Sequence, residues 1–349
     1  MIDLGGRNVR LFSDSWRVVR EINPEEIVRE AEQPFKVAIV GSAGVETDSL
    51  AQGMLAGAPL AFQPSLVECV VLPDDPTQVE TPTADAVVHV IDAGVGFGPS
   101  DRRLAVELFA AARPVIFAFQ TPAADQTLTQ PISSLASARR AVIDLFGSHA
   151  SQNITYLHPA SNGAGGQAIL QAILNAVPQK QLAIGRRLPL ARLRVASNVI
   201  FQTSLANAQF AMLSSLPASF PVLGGMIGAG ADFVVLTKNQ ALMVFRLAAL
   251  HDKSHAPKLR ILAEIAPVVG AGFLWRTVAR SIVGLLPTTV SAIPKAAVAF
   301  IGTYLIGRAA QCYYATGRKP SRAEMARYSA EAADMWGGVL HGVSAPDRH

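Results

Sequence analysis

The sequence has few charged and few aromatic residues for a chain of 349 residues. Charged residues make up 16% of it and aromatic residues 7%, whereas charged residues make up about 25% of an average soluble domain. This deficit indicates a large buried helical core or contact with a membrane. Apolar residues make up 50% of the chain, which excludes intrinsic disorder because so much apolar burial can offset the entropy lost on ordering.

The positive charge is small and dispersed. The net charge is +4, and no long run of Lys or Arg is present. Together with the low aromatic content and the absence of a recognised nucleic-acid motif, this excludes nucleic acid as an expected partner. The charge is compatible with an ordinary solvated surface or with attraction to an anionic lipid surface.

Cysteine is also scarce, since only Cys69 and Cys312 are present. They lie far apart in apolar surroundings, which favours buried free thiols in a reducing compartment over a disulfide scaffold. The N-terminal stretch MIDLGGRNVRLFSDSW has no apolar core, so it does not predict a secretory signal. We therefore expect a cytoplasmic location.

The sequence contains no nucleophile elbow, no His-Glu zinc motif and no CxxC pair, so it predicts no catalytic residue and no metal site. Histidine is rare, with seven copies. We expect His89 to be a hydrogen-bonded core residue, because it lies in an apolar run. His158 lies near the end of a predicted strand and remains a candidate functional residue. His251 and His255 have helical spacing, but no third ligand lies near them in sequence.

The first half of the chain alternates β-branched apolar runs with helical patterns. This order predicts an α/β fold with a doubly wound, mostly parallel sheet. A short helix should precede the sheet, with Asn23 as N-cap, Pro24 at the first position and Glu26 as capping-box partner. The predicted strands are 35–41, 65–72, 84–92, 113–120 and 153–161, and the predicted helices are 100–112, 135–147 and 165–177.

Ligands of doubly wound sheets bind at the carboxyl ends of the strands, and here the first strand leads into GSAGVETDSL. The order and spacing of residues 35–177 resemble an Era-like or Ras-like P-loop GTPase domain. That family has G-x-x-x-x-G-K-[ST] at this place, in which the lysine meets the phosphates and the hydroxyl binds Mg²⁺. Counted from Gly41, the last three positions hold Glu46, Thr47 and Asp48.

Two interpretations of this loop remain open. In the first, Gly41 and Gly44 only allow a tight strand–turn–helix connection, and no nucleotide binds. In the second, backbone amides at the start of the helix hold GTP or ATP with Mg²⁺. The residues expected to bind the nucleotide in that case are Gly41, Ser42, Gly44, Thr47 and Ser49.

The other GTPase motifs are also degraded. The second strand is followed by Asp74 and Asp75 without the expected glycine, and Pro76 has no N–H to donate. Residues 120–123, QTPA, replace the N-K-x-D motif that reads guanine. The glycine-rich stretch 94–98 is interpreted as a loop, with Ser100 as the cap of the following helix. The resemblance therefore implies a pseudo-GTPase scaffold.

PASNGAGG (159–166) keeps the glycine-rich turn of the family's last motif. A helical pattern follows it at the expected place. The match supports the predicted fold and says little about chemistry, because glycine-rich turns often precede helices.

The second half of the chain is apolar and helical, with many glycines and prolines. Residues 179–194 carry four arginines among apolar residues, which fits either an amphipathic segment at a membrane surface or a solvated face at a domain junction. A helix is predicted over 193–216. Residues 217–236 make a poor membrane span because a charged residue, Asp232, interrupts them.

Residues 281–307 are long enough to cross a bilayer. They contain Pro287, Pro294 and Lys295, which favours two helices meeting at the proline pair, with Lys295 at the turn. Such a hairpin fits a helical bundle or a hairpin embedded in the membrane. A last helix should begin after a capping box of Ser321 and Glu324.

Residues 200–330 resemble the domain of unknown function of bacterial YcjF-type inner-membrane proteins. The resemblance lies in FPVLGGMIGAGADFVVLTKNQALMVFRLAAL and IPKAAVAFIGTYLIGRAAQCYYATGR. It implies a bacterial protein associated with a membrane, and no chemistry. We accordingly predict an N-terminal arm over 1–34, a GTPase-like domain over 35–180 and a helical domain over 181–340.

The predicted function is that of a non-catalytic pseudo-GTPase scaffold that binds a membrane or a protein partner through its helical domain. The alternative is a divergent P-loop nucleoside triphosphatase that binds GTP or ATP with Mg²⁺ at 41–49. A third interpretation is a homo-oligomer whose apolar helices pack between subunits.

Overall fold

The protein is represented by a computed structural model that describes residues 23–59, 63–120, 131–147, 154–157, 164–214, 231–253, 261 and 292–341. The chain forms two compact units. One comprises Glu30–Val195, and the other comprises Met1–Arg29 together with Ala196–His349.

The first unit is an α/β unit whose described part contains a five-stranded sheet. Its strands are β1 Val37–Ser42, β2 Val67–Leu72, β3 Ala86–Asp92, β4 Val115–Gln120 and β5 Ile154–Leu157. Its helices are α1 Glu25–Glu32, which enters it from the other unit, α2 Thr47–Met54, α3 Gln63–Leu66, α4 Pro99–Ala110, α5 Pro131–Phe146, α6 Ala164–Ala176 and α7 Gln181–Arg187.

The sheet has the strand order β2-β1-β3-β4-β5, and every neighbouring pair is parallel. The predicted α/β class with a doubly wound parallel sheet is therefore confirmed. Strands buried on both faces explain the sequence pattern, because such strands are apolar throughout rather than alternating. In β1, the residues from Val37 to Val40 have no exposed surface.

Helices cover both faces of the sheet. On one face, Leu104 and Leu108 of α4 and Phe146 of α5 form a core cluster with strand residues such as Val87. On the other, α2 packs against α6. There a Cβ atom on Gly166 would lie 2.8 Å from the carbonyl carbon of Gly53, so the backbones of the two helices touch.

Basic side chains from the segment after α6 hold the segment that leads into β1. The Lys180 ammonium group donates to the Asp85 carboxylate at 2.5 Å and to the Pro34 carbonyl at 2.8 Å. The Arg187 guanidinium donates to the carbonyls of Gln33 and Glu32 at 2.6 and 3.0 Å. Partial burial lowers the pKa of Arg187.

Arg192 donates to the carbonyls of Gly185 and Arg186. Arg186, Arg187 and Arg192 thus make contacts within the chain. The two interpretations of 179–194, a segment at a membrane surface and a solvated face at a domain junction, both stay predictions.

The second unit is helical in its described part. Its helices are α8 Pro189–Leu213, which begins in the first unit, α9 Ala231–Leu250, α10 Ala292–Thr316 and α11 Arg322–Leu340. Helix α10 packs against α9 and α11, and the residues from Phe300 to Leu305 are all buried. Among the described helices, none has an apolar stretch long enough to cross a membrane.

The predicted elements are largely confirmed, with differences at their ends. Asn23 does cap α1, but its side chain bonds to the N–H and the carboxylate of Glu25 rather than pairing with Glu26. The capping box of Ser321 and Glu324 is present at the start of α11. The helix predicted at 193–216 is α8, which starts at Pro189.

The prediction for Lys295 was wrong. Pro294 and Lys295 lie in the first turn of α10 rather than between two helices. A proline is tolerated there because its missing N–H would have no partner within the helix. The Lys295 ammonium group donates to the Ser214 hydroxyl at 2.8 Å. Residues 215–230 and 262–291 lie outside the described residues. They include 217–230 of the first apolar stretch and 281–291 of the second.

Candidate functional site at the carboxyl edge of the sheet

The strand order identifies one place on the sheet where a ligand would be expected. The chain passes from β1 outward to β2 and returns to place β3 on the other side of β1. In open parallel sheets, ligands bind at the carboxyl ends of strands where the strand order reverses. The candidate site therefore lies between the ends of β1 and β3, at Ser42 and Asp92, beside the loops 43–46 and 93–98.

The loop after β1 is closed by its own hydrogen bonds. The N–H of Val45 donates to the carbonyl of Ser42 at 3.2 Å, and the N–H of Thr47 donates to the carbonyl of Val45 at 2.9 Å. Gly44 has a φ of +96°, a conformation that favours glycine. Two N–H groups that could face a phosphate are therefore used inside the loop.

Side chains of the same loop fill the space beside Gly41. A Cβ atom at Gly41 would lie 3.2 Å from both Thr47 Cγ2 and Val45 Cβ, and Thr47 is only 6% exposed. Gly41 and Thr47 are therefore brought together by packing. Ser49 lies further along α2, and no atom of the described residues lies within 4 Å of a Cβ atom placed on Gly44.

The charged groups at this edge are acidic. Glu46 and Asp48 are exposed at the start of α2, and the stretch 42–50 contains no Lys or Arg. Asp48 also affects the neighbouring thiol. Burial, together with a hydrogen bond to Asp48 and the charge of Asp48, raises the pKa of Cys69 to about 11. The electrostatic environment thus opposes additional negative charge.

Of the two aspartates after β2, Asp75 uses its side chain in a turn, and Asp74 accepts a hydrogen bond on its backbone carbonyl. The Asp75 carboxylate accepts hydrogen bonds from the N–H and the hydroxyl of Thr77 at 2.9 and 2.8 Å, which lower the pKa of Asp75. It thereby caps a short 3₁₀ turn, Pro76–Gln78. The carbonyl of Asp74 accepts a hydrogen bond from the Ser100 hydroxyl at 3.2 Å.

The loop after β3 is likewise closed on itself. Asp92 accepts the N–H of Gly94 on its carboxylate at 2.7 Å and the N–H of Gly96 on its carbonyl at 2.8 Å. The tip of the loop is apolar, since Val95 is 85% exposed. The prediction that 94–98 is a loop agrees with these contacts. The side chain of Asp92 is used by the turn.

Sequence reasoning missed the contact between His89 and Asp101 beneath this loop. His89 Nε2 lies 2.7 Å from Asp101 Oδ1, and Asp101 Oδ2 accepts the N–H of Gly98 at 2.9 Å. The prediction of Ser100 as the cap of α4 was wrong: Gly98 is the N-cap, and the Ser100 hydroxyl donates to the Pro73 carbonyl at 2.6 Å. The signal for the correct cap was Asp101, three residues after Gly98.

The remaining candidates lie at the edge of what the structure describes. Gln120 ends β4, and its side-chain oxygen is buried without a hydrogen-bond partner in the described part of the chain. Residues 121–130 and 158–163, which include His158, lie outside the described residues, as does His255. The residues that the structure does describe hold no cluster of three or more His, Cys, Asp or Glu suited to a metal ion.

The comparisons with known proteins leave the family undetermined. No model of a known protein family matches this chain. No functionally characterised protein is significantly similar to it in sequence.

Proposed function

We propose that this chain is a non-catalytic pseudo-GTPase scaffold that binds a protein partner or a membrane surface through its helical unit. The observation that carries the proposal is the loop after β1. The side chains of Val45 and Thr47 occupy the space beside Gly41, and the nearest charged groups, Glu46 and Asp48, repel a polyanion.

The expected loss of nucleotide affinity is large. A hydrogen bond to a charged group contributes about 1.5–3 kcal/mol, so the missing P-loop lysine alone weakens binding roughly 10–100-fold. Repulsion by two carboxylates adds to this loss. Two amides of the loop, those of Val45 and Thr47, already donate to carbonyls of the loop and would have to be released before they could bind phosphate.

The role of the helical unit rests on composition and resemblance. Its apolar residues and its similarity to YcjF-type domains support a place at the inner face of a bacterial cell membrane. The burial of Phe300–Leu305 within the unit supports packing against protein for that part of α10. Docking on a protein partner or on a membrane surface is compatible with the apolar composition of the unit and with the burial of this part of α10.

Calorimetric titration of the full chain with GTP and with ATP, each with Mg²⁺, tests the proposal. We expect no saturable heat at millimolar nucleotide. Saturable micromolar binding would contradict the scaffold and support the divergent nucleotidase. The double variant Glu46→Gln/Asp48→Asn removes the repulsion while leaving the loop filled. If this variant also gives no binding heat, the packing of Val45 and Thr47 beside Gly41 is enough to exclude nucleotide.

Cell fractionation with a carbonate wash tests the membrane part of the proposal. Carbonate releases peripheral proteins, so a chain that remains with the membranes is inserted, and a chain released by the wash is attached only at the surface. Recovery of the whole protein without membranes before the wash would contradict membrane association and leave protein binding as the role of the helical unit.

A further inference from the structure

The outer edge of the sheet offers a row of backbone hydrogen-bonding groups. Strand β2, Val67–Leu72, is the first strand of the sheet, and β1 is its only neighbour among the described strands. An edge strand presents unpaired N–H and C=O groups at the spacing of an extended chain. Another β-strand matches such a row, so the chemistry of the edge specifies the kind of occupant.

Of the features within a strand that usually protect an edge, β2 carries only one charge. Natural edges carry lysine, proline, bulges or unpaired charges that oppose pairing with another chain. The sequence VECVVL has one charge, Glu68, and its carboxylate lies 2.6 Å from the Lys36 ammonium group. This ion pair compensates the charge within the chain. Cys69 is exposed, and Val71 is 64% exposed.

We propose that β2 pairs antiparallel with β2 of a second copy of this chain, so that two five-stranded sheets become one continuous sheet. A two-fold axis perpendicular to the sheet keeps equivalent side chains on the same face. Residues that lie opposite each other must therefore be separated by an even number. The axis then passes beside Cys69 or Val70.

With the axis at Cys69, the exposed side chains of β2 lie opposite apolar side chains of the second copy. It places Val71 opposite Val67 of the second copy, and Cys69 opposite its own equivalent. Cross-strand pairs of β-branched residues stabilise antiparallel sheets, and the pairing covers the exposed surface of Val71. A pair of six-residue strands is small beside the roughly 1,600 Å² of a standard interface. We therefore expect a dimer that dissociates on dilution.

Sedimentation of the full chain over a range of concentrations tests the inference, with the variants Cys69→Lys and Cys69→Ser. Both variants also carry Asp48→Asn, because the Asp48 carboxylate lies beside Cys69 and would compensate a lysine there. In the first variant two ammonium groups then lie directly opposite each other at the axis, and like charges in such pairs are unfavourable. We expect the dissociation constant to rise at least tenfold. The serine variant is neutral and of similar size, so it should associate like the wild type.

A second pair of variants tests whether the exposed side chain of Val71, away from the axis, becomes covered on association. Val71→Lys should weaken association, whereas Val106→Lys should not, because Val106 lies on α4 and is also exposed, at 49%. Circular dichroism verifies that each variant folds. A wild-type chain that stays monomeric at the highest concentration would overturn the inference. Dimerisation that Cys69→Lys and Val71→Lys leave unchanged would overturn it as well.

The inference does not rest on the proposed function. Self-association through β2 involves neither the loop after β1 nor the helical unit. Nucleotide binding in calorimetry would contradict the scaffold and leave the dimer intact.

Discussion

His89 Nε2 lies 2.7 Å from Asp101 Oδ1, and both side chains are buried. The other carboxylate oxygen of Asp101 accepts the N–H of Gly98, so one side chain joins the middle of β3 to the start of α4. His89 Nδ1 is buried without a partner in the described part of the chain, beside the rings of Phe97 and Phe117. Asp101 thus supplies the hydrogen-bond partner of His89 Nε2.

Replacement of Asp101 by alanine should destabilise the α/β unit by about 1.5–4.5 kcal/mol. The buried His89 loses its partner at about 1–3 kcal/mol, and the half-buried N–H of Gly98 loses an ordinary hydrogen bond at about 0.5–1.5 kcal/mol. Hydrogen exchange measured by mass spectrometry should show faster exchange in β3 and in the loop 93–98. Asp92→Ala is the control, since Asp92 is half-buried and its side chain accepts one hydrogen bond, from Gly94. Equal effects of the two substitutions would contradict the assigned role.

Two glycines of α10 should respond in opposite ways to replacement by alanine. A Cβ atom at Gly307 would lie 2.7 Å from Ile200 Cγ1 and 3.0 Å from Met243 Sδ, whereas no atom of the described residues lies within 4 Å of a Cβ atom at Gly302. Ile200 is β-branched and its side chain cannot easily move away, so Gly307→Ala should lower the free energy of unfolding by about 1–3 kcal/mol through overpacking. Gly302→Ala should stabilise the helix by about 0.5–1 kcal/mol.

Urea denaturation of both variants, followed by circular dichroism, measures this difference. The two substitutions share a helix and a chemical change, so helix propensity alone would give the same sign for both. Stabilisation by Gly307→Ala would show that α8 does not approach α10 as closely as described.

Cys69 should react slowly with alkylating reagents although it is exposed. Its pKa is raised to about 11 from the ordinary 9.0, and only the thiolate reacts. At pH 8 we expect iodoacetamide to modify it roughly 10–100-fold more slowly than an unperturbed thiol. Because the raised pKa reduces the thiolate fraction, the rate should rise with pH well beyond pH 9.

Asp48→Asn provides the matched control for Cys69. The substitution removes the neighbouring charge, which contributes to the shift together with burial and a hydrogen bond, so the alkylation rate at pH 8 should increase. A wild-type rate equal to that of a free thiol would contradict the described environment. Mass spectrometry of the modified peptides distinguishes Cys69 from the buried Cys312.

The sequence contained enough information for the sheet but not for the side-chain contacts of the candidate site. Apolar runs such as 113–120 identify buried strands because a strand covered on both faces needs apolar residues throughout. The partner of Asp101 could not be inferred, because the pairing of His89 with a residue twelve positions away depends on how α4 lies on β3. The packing of Val45 and Thr47 beside Gly41 could not be predicted either. The degraded motif shows which phosphate-binding groups are missing, but it does not show which side chains take their place.

The length of the apolar stretch 281–307 did not decide between the two interpretations of this part of the chain. A run of about 20 apolar residues is compatible with a membrane span and with a helix buried by neighbours on all sides. The polar residues within α10 identify its neighbours in the described part of the chain. Thr303 is fully buried, and it accepts hydrogen bonds from Asn207 of α8 and Gln240 of α9. Such contacts require neighbouring helices of protein.

Thr303→Val should therefore destabilise the helical unit. The hydroxyl accepts from Asn207 Nδ2 at 2.9 Å and from Gln240 Nε2 at 3.0 Å, and Asn207 also accepts from Asn239 at 2.8 Å. Valine has nearly the same shape but leaves the donor of the buried Asn207 without its acceptor. We expect a loss of about 1–3 kcal/mol in the free energy of unfolding, measured by urea denaturation.

The variant Thr303→Ser separates the hydroxyl from the shape of the side chain. Serine keeps the acceptor and removes one methyl group, so it should cost about 1 kcal/mol through lost packing. In the double variant Thr303→Val/Asn207→Leu the donor disappears together with the acceptor. Its cost should be smaller than the sum of the two single costs, because the buried bond between Asn207 and Thr303 is lost once rather than counted twice. The half-buried amides of Asn239 and Gln240 lose the same acceptors as in the single variants. Strict additivity would show that the two side chains do not interact and that other contacts hold α8 against α10.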